Sequence, residues 1–334
     1  MKPKIFIDGG EGTTGLEIRQ RLAKREDLEV LEIGKGVRKH AGERRRLLNE
    51  ADVAILCLPD EAARESVGLV ENPGTRVLDA STAHRTAEGW VYGLPEIGLR
   101  EEIRMARRVA VCGCHATAFI LAVRPLVLAG LISADAEVTA ISLTGYSGGG
   151  RRLIAAFEGG GLGESLGVGA YALGLRHKHL PEMRRYAGLR LPPLFQPVVG
   201  NFARGLLVAV FFHKARMARG SALGEVREVL QSAYEGERFI RVMAEGEGLE
   251  EGYLSPQGCN GTNRVDLFVF GSEEQLSVMA RLDNLGKGAS GGAIQCMNLM
   301  LGLPEGRGLS IFGGSGDAEV LDMGEVSGVT RLAQ

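Results

Sequence analysis

A chain of 334 residues whose 39 basic and 41 acidic side chains leave a net charge of −2 carries neither the basic surplus of a nucleic-acid binder nor a charged face for a membrane surface. The length accommodates two domains, the 49 glycines are dispersed rather than gathered into low complexity, and the five irregularly placed cysteines argue for a reducing compartment over a disulfide framework. The N-terminus runs straight into a strand and no apolar run reaches membrane-spanning length, so a cytoplasmic globular protein is expected, with no membrane and no nucleic acid as partner.

Residues 4–8 form a short apolar run that breaks into Gly9-Gly10-Glu11-Gly12-Thr13-Thr14-Gly15 before helical periodicity sets in over 16–22. Gly9, Gly12 and Gly15 stand three apart, so backbone N–H groups at the helix mouth can approach a pyrophosphate unobstructed; a tight turn with no ligand is the competing reading. A second strand over 28–33, an amphipathic segment near 44–48 and a third strand over 53–58, closed by Pro59, complete βαβαβ, the half of a doubly wound sheet that carries one nucleotide. Basic Lys35, Arg38 and Lys39 follow the second strand, where a free ribose 2′-hydroxyl would favour an acidic residue. They suit the 2′-phosphate of NADP, with a solvated basic loop as the alternative.

A helix over 61–69 and a fourth strand over 76–79 run into Ser81 and Arg85, and a further segment spans 92–96. Loops beyond strand carboxyl ends are where open α/β sheets bind ligands, so Ser81 and Arg85 are candidates for an anionic substrate, Arg85 equally for a structural ion pair. The strand at 109–111 ends in a glycine turn followed by helical periodicity, which puts Cys114 at a helix mouth. Unpaired N–H groups there favour a thiolate, making Cys114 a candidate nucleophile; a small buried packing residue is the other reading. Cys112 reads as packing, and with no second cysteine pair to complete a zinc set, no metal is expected.

From Ala134 the pattern changes to strands at 137–143, 205–212, 264–270 and 276–282 separated by loops, as in an antiparallel α+β domain. Within it, the stretch from Ser147 to Arg151 is a glycine-rich, anion-friendly turn. His177, His179 and Glu182 place two imidazoles and a carboxylate within six residues, an acid–base set unless Glu182 simply caps the helix after Pro181. Gly286, Lys287 and Gly288 precede an apolar helical run to Leu301 and allow close backbone approach to a cofactor or another helix. Residues 306–334 receive no task.

These readings converge on a family. The segments IFIDGGEGTTGLEIRQRL, AILCLPDEAARESV, DASTAHRTAEGWVYGLPE, GYSGGGRR, HKHLPEM, NGTNR and LDNLGKGASGGAIQ give a chain that resembles the N-acetyl-γ-glutamyl-phosphate reductases, in particular their shorter type 2 form, from Ile5 to about Leu303. The family's active-site signature is matched at Gly113, Cys114, Thr117, Ala118 and Pro125. Cys112 stands where the family usually has proline and His115 where it usually has an aromatic, and the tail after Leu303 is longer than the family's usual end.

The resemblance implies an α/β fold: a Rossmann-type doubly wound nucleotide-binding domain (1–113 and 284–334) plus an α+β catalytic and dimerisation domain (114–283) with a mostly antiparallel sheet. It implies Cys114 as nucleophile, one of the pair His177 and His179 as the acid–base residue, and Tyr171, Glu182 and Arg204 as substrate-holding residues; Arg85, Ser147 and Arg151, as anion-friendly positions, are candidates to receive the departing phosphate. Gly9, Gly12, Thr13, Thr14, Gly15, Arg38, Pro59, Ser81, Gly286, Lys287 and Gly288 are assigned to NADP(H). The activity expected is reduction of an acyl phosphate to N-acetylglutamate 5-semialdehyde through a cysteine thioester, in arginine biosynthesis, by a homo-oligomer, dimer or tetramer. A low-pKa thiolate and a histidine near its ordinary pKa of about 6.5 are expected to drive it. The alternatives are aspartate-semialdehyde dehydrogenase chemistry, reduction of a carrier-bound glutamyl phosphate, or a catalytically silent NADP-binding regulator.

Overall fold

Two β-sheets, each with its own helices, are joined at a seam that the chain crosses twice. The computed structural model describes residues 1–34, 36–159, 161–217 and 222–312. The first sheet comprises β1 (Lys4–Asp8), β2 (Glu29–Leu31), β3 (Val53–Leu56), β4 (Arg76–Asp79), β5 (Val91–Gly93) and β6 (Arg108–Val111). All its pairings are parallel, in the order β2-β1-β3-β4-β6-β5. A parallel sheet is covered on both faces, which is why β3 reads as an unbroken apolar run, all four residues buried. One face packs on α1 (Thr13–Leu22), through Ile18 and Leu22; the other receives Leu47 and Leu48 of α2 (Ala41–Glu50). α3 (Asp60–Gly68) and α4 (Arg100–Met105) complete this unit.

Strand order reverses between β1 and β3, and the crevice at their carboxyl ends is where such sheets take ligands. The glycine loop lies there. Gly9 has φ +86°, and a Cβ on it would stand 2.4 Å from the carbonyl oxygen of Cys57, so only glycine lets the two loops close on each other.

From β6 the chain enters α5 (Cys114–Leu128), a helix buried nearly all round because it is sandwiched in the second core. The second sheet contains β7 (Thr139–Gly145), β8 (Val168–Ala170), β9 (Leu194–Gly200), β10 (Leu206–His213), β11 (Ile240–Val242), β12 (Val265–Gly271) and β13 (Gln275–Leu282), ordered β11-β12-β13-β10-β7-β9-β8. Four of its six pairings are antiparallel, while β7–β9 and β11–β12 are parallel, so the sheet is mixed. α6 (Gly150–Glu158), α7 (Gly161–Leu166), α8 (Leu180–Ala187) and α9 (Leu223–Ala233) belong to this half. The chain then returns through residues 283–290 to α10 (Gly291–Met300), whose Ile294, Met297 and Met300 pack in the core of the first sheet.

Candidate functional site

Both crossings pass the same point. Cys114 is the first residue of α5, and a Cβ on Gly288, on the return crossing, would lie 2.6 Å from Cys114 Cβ. A Cβ on Gly113 would stand 2.4 Å from both His179 Nε2 and Arg85 Nη1. The two glycines thus let the histidine, the arginine and the second crossing close around the sulfur. One ligand-capable atom each of Cys114, His115 and His179 lies within 4.8 Å of the others, which brings His179 beside the sulfur. The rings of His177 and His179 meet edge to face at 4.6 Å, and His177 Nδ1 accepts the His179 backbone N–H at 3.2 Å.

The electrostatics differ from the expectation of a resting thiolate. Burial pushes the Cys114 thiol up to about 11, outweighing the opposing influence of Arg85, the His115 backbone N–H and Lys178. The histidines do not titrate near neutrality either. Burial, with Lys178 and Arg85 adding repulsion, lowers His177 to about 4, and burial with Arg85 holds His179 well below its ordinary value. The resting pair is therefore a protonated thiol beside a neutral imidazole.

A cavity of about 970 Å³ opens onto this cluster, and its wall runs from the glycine loop (Gly12, Thr13, Thr14, Gly15) past Cys114, His177 and His179 to Ser147, Arg151 and Tyr171. At its far end α1 starts without a side-chain cap, leaving N–H groups free, and the buried Thr13 Oγ1 has no hydrogen-bond partner among the described residues. An uncapped helix mouth with an orphaned hydroxyl fits a dinucleotide pyrophosphate.

Comparison with known proteins agrees with this arrangement. Residues 4–106 match the family model "Semialdehyde dehydrogenase, NAD binding domain" and residues 114–284 match "Semialdehyde dehydrogenase, dimerisation domain". An N-acetyl-gamma-glutamyl-phosphate reductase 2 of Nostoc sp. is 46% identical over 92% of this chain and 99% of its own. An N-acetyl-gamma-glutamyl-phosphate reductase of Chelativorans sp. is 47% identical over 90% and 99%. The chain belongs to the N-acetyl-gamma-glutamyl-phosphate reductase family. It is an oxidoreductase with an NAD(P)-binding domain and a region that matches a dimerisation domain. The crystal structure of an aspartate semialdehyde dehydrogenase II from Vibrio cholerae shares the fold, with TM-score 0.69 at 15% identity over 90% of this chain and 98% of that one.

Within this reductase-family fold, several residues expected in the site stand elsewhere. Glu182 is not on the cavity wall: Oε1 accepts from Arg85 Nη1 at 2.7 Å, and Oε2 accepts from Tyr92 Oη at 2.7 Å and the Gly113 N–H at 3.2 Å. It is a buried bracket for Arg85 and the mouth of α5. Lys287 points away from the cavity, with Nζ 2.5 Å from Glu96 Oε1, and Gly286 packs against the Thr262 carbonyl. Arg204 lies off the wall, pairing with Glu17 of α1 at 2.5 Å and facing Asp283 at 3.6 Å. Ser81 donates to Asp79 at 2.7 Å, Pro59 caps α3, and Arg38 faces Glu11 at 3.8 Å, all outside the lining; Gly9 shapes the loop from beneath. Lys35 lies outside the described residues.

Arg85 lines the cavity and also forms an ion pair with Glu182. Cys112 lies just past the end of β6, buried, its Sγ 3.5 Å from the Gly93 carbonyl. Two contributors went unforeseen. Asn284 accepts from the Gly205 N–H at 2.8 Å and donates to Ser147 Oγ at 2.9 Å, holding the anion-friendly turn. His115 bridges Ser142 Oγ (2.8 Å) and Tyr171 Oη (2.9 Å). Contacts this distant along the chain leave no periodic trace.

Proposed function

We propose that the chain catalyses the NADPH-dependent reductive dephosphorylation of N-acetyl-γ-glutamyl phosphate to N-acetylglutamate 5-semialdehyde through a thioester on Cys114. The observation carrying this reading is the Cys114–His179 pair at the mouth of α5, on a cavity continuous with the glycine loop. The relatives' names supply the substrate, and arginine biosynthesis in the cytoplasm is its setting. The nucleotide unit is 1–113 with 284–334 and the catalytic unit 114–283; residues 313–334 lie outside the described residues.

The backbone N–H groups of Gly12, Thr13, Thr14 and Gly15 would hold the dinucleotide, which when bound supplies the hydride that takes the acyl carbon to the aldehyde level. Arg38 and Lys39, after β2, favour the 2′-phosphate form. Neutral His179 takes the thiol proton as Cys114 Sγ attacks the acyl carbon, so the thiolate forms only as the bond forms. The phosphate then departs toward Arg151, Ser147 and Arg85, carrying away the proton held on His179 so that it leaves as the monohydrogen dianion, and a thioester remains on Sγ. After reduction the tetrahedral oxyanion collapses to the aldehyde, and the expelled sulfur recovers a proton that His179 relays from solvent. Tyr171, held by His115, presents its hydroxyl to the substrate from the opposite wall.

Self-association is supported by the face of the second sheet turned away from α5. Register places Ile141, Leu194 and Phe211 together there, 42%, 57% and 44% exposed. A dimer, or a tetramer built from two, would cover them.

The test is the reverse reaction with semialdehyde, phosphate and NADP. Cys114→Ala should abolish it with NADPH binding retained, and Cys112→Ala should keep most of it. Activity surviving in Cys114→Ala, or aspartate semialdehyde being the better substrate, would overturn the proposal. Arg38→Ala should narrow the preference for NADPH over NADH.

A further inference from the structure

We propose that Cys114, His115 and His179 form a three-ligand site for a thiophilic divalent cation, Zn2+ above all, whose occupancy reversibly silences the thiol. The silencing rests on the function proposed above; the binding does not.

The three ligand-capable atoms lie within 4.8 Å of one another. Two ligands on a tetrahedral zinc, each bonded at about 2.0–2.3 Å, stand roughly 3.5 Å apart, so a shift on the scale of side-chain torsions closes the set. One thiolate and two imidazoles are the donor chemistry zinc prefers, and the cavity supplies the open fourth position.

The rings are held as such a site requires. His179 is 4% exposed, and its Nδ1 has no hydrogen-bond partner among the described residues. A buried orphaned nitrogen carries an uncompensated desolvation cost that a ligand would remove. Its other nitrogen, Nε2, lies 4.0 Å from Glu182 Oε1, an oxygen already taken by Arg85, so the ring is held by the packing around it. His115 is oriented from behind by Ser142 Oγ on Nδ1, leaving Nε2, on the Tyr171 side, to exchange a hydroxyl for a cation. His177 is not part of the three-residue cluster, and its Nδ1 accepts the His179 backbone N–H.

The charges facing the sulfur are Arg85, Lys178 and Glu182. Arg85 is matched by Glu182 at 2.7 Å, so Lys178 is the cation left to oppose an ion. The site therefore binds a dissociable regulator rather than a structural metal. On binding, the thiol proton passes to solvent and a sulfur–metal bond replaces the S–H bond. The electron pair needed for attack on the acyl carbon is then occupied.

The experiment titrates the metal-free, full-length protein with Co2+ and follows sulfur-to-cobalt charge-transfer absorption, then displaces Co2+ with Zn2+. One equivalent per chain is expected, with the band absent in Cys114→Ser. Affinity should weaken by roughly tenfold or more in both His115→Phe and His115→Asn. NADP(H) binding to each variant verifies the fold, and the asparagine keeps a polar contact with Ser142 should phenylalanine misfold. Zn2+ should inhibit the native enzyme and EDTA should restore it. Absence of a stoichiometric thiolate band, or undiminished affinity in both His115 variants, overturns the site. Cobalt binding as described by a metal-free protein without reductase activity would instead overturn the proposed reaction and leave the site standing.

Discussion

Glu182 has both oxygens engaged by Arg85, Tyr92 and the Gly113 N–H, so it acts on the reaction only by fixing what surrounds the sulfur. Its replacement by Gln preserves shape but leaves the buried Arg85 guanidinium without a counter-charge. A loss of about 3–5 kcal/mol in stability is expected, readable by urea unfolding; a loss under about 1 kcal/mol would show the bracket to be dispensable. The neighbouring imidazoles make a pH prediction of a different kind. Because burial lowers His177 to about 4 and holds His179 well below its ordinary value, kcat/KM should hold level through neutrality and fall only well below pH 6.5. An acid limb centred at 6.5 would mean an unperturbed histidine carries the proton. Stability follows the same groups with a definite sign. Burial lowers His115 to about 3, so between pH 6.5 and 3 the unfolded chain binds a proton that the folded chain refuses. Its contribution is complete above pH 6.5 and is lost on acidification at about 1.4 kcal/mol per pH unit. In EDTA-treated protein, His115→Phe should flatten the fall of Tm with acidity; an unchanged slope would contradict this assignment.

At the scale of elements, what could be read in advance was whatever repeats along the chain. The apolar runs of β1, β3 and β4, the glycine turn before α1, and the long strands β7, β10, β12 and β13 all announce themselves by composition or alternation. β9 does not: Pro197 sits within it and Pro192 and Pro193 precede it, and a proline normally argues against a central strand, yet β9 pairs with both β7 and β8. β8 and β11, three residues each, are too short for alternation to register. The Cys114 helix mouth was legible from Gly113 and the periodicity beyond it, but the burial that raises the thiol was not, because it depends on helices and loops from both sheets. Gly113 shows the difference. Its φ of −81° suits any residue, so the demand for glycine comes wholly from His179 and Arg85 pressing on it. Gly113→Ala should therefore cut kcat by roughly 100-fold through displacement of His179, with NADPH affinity little changed. Retained turnover would show that the imidazole can move without consequence.

Over the whole molecule, the two sheets meet through α5 going out and residues 283–290 coming back, so ion pairs that span this seam decide how firmly the cavity is assembled. Two such pairs differ in burial. Lys287 and Glu96 are 1% and 5% exposed; burial disfavours the Glu96 carboxylate, but Lys287 outweighs it and holds the group below the usual carboxylate range. Arg204, in the loop between β9 and β10, joins the second half to Glu17 of α1 at 2.5 Å, with the arginine side chain 32% exposed. Desolvation makes the first pair costly to break and solvent screening makes the second cheap. Lys287→Met removes the cation opposite Glu96 while the Gln295 amide still donates to it, and should destabilise by about 3–5 kcal/mol, whereas Arg204→Ala should cost about 1 kcal/mol or less. Pairing Lys287→Met with Glu96→Gln removes the stranded charge and should recover much of the loss, because the penalty lies in an uncompensated carboxylate rather than in a missing contact. Denaturation of the four proteins would show this directly. Equal losses in Lys287→Met and Arg204→Ala, or no recovery in the double variant, would mean that the seam is held by apolar packing of α5 and α10 and not by its buried charges.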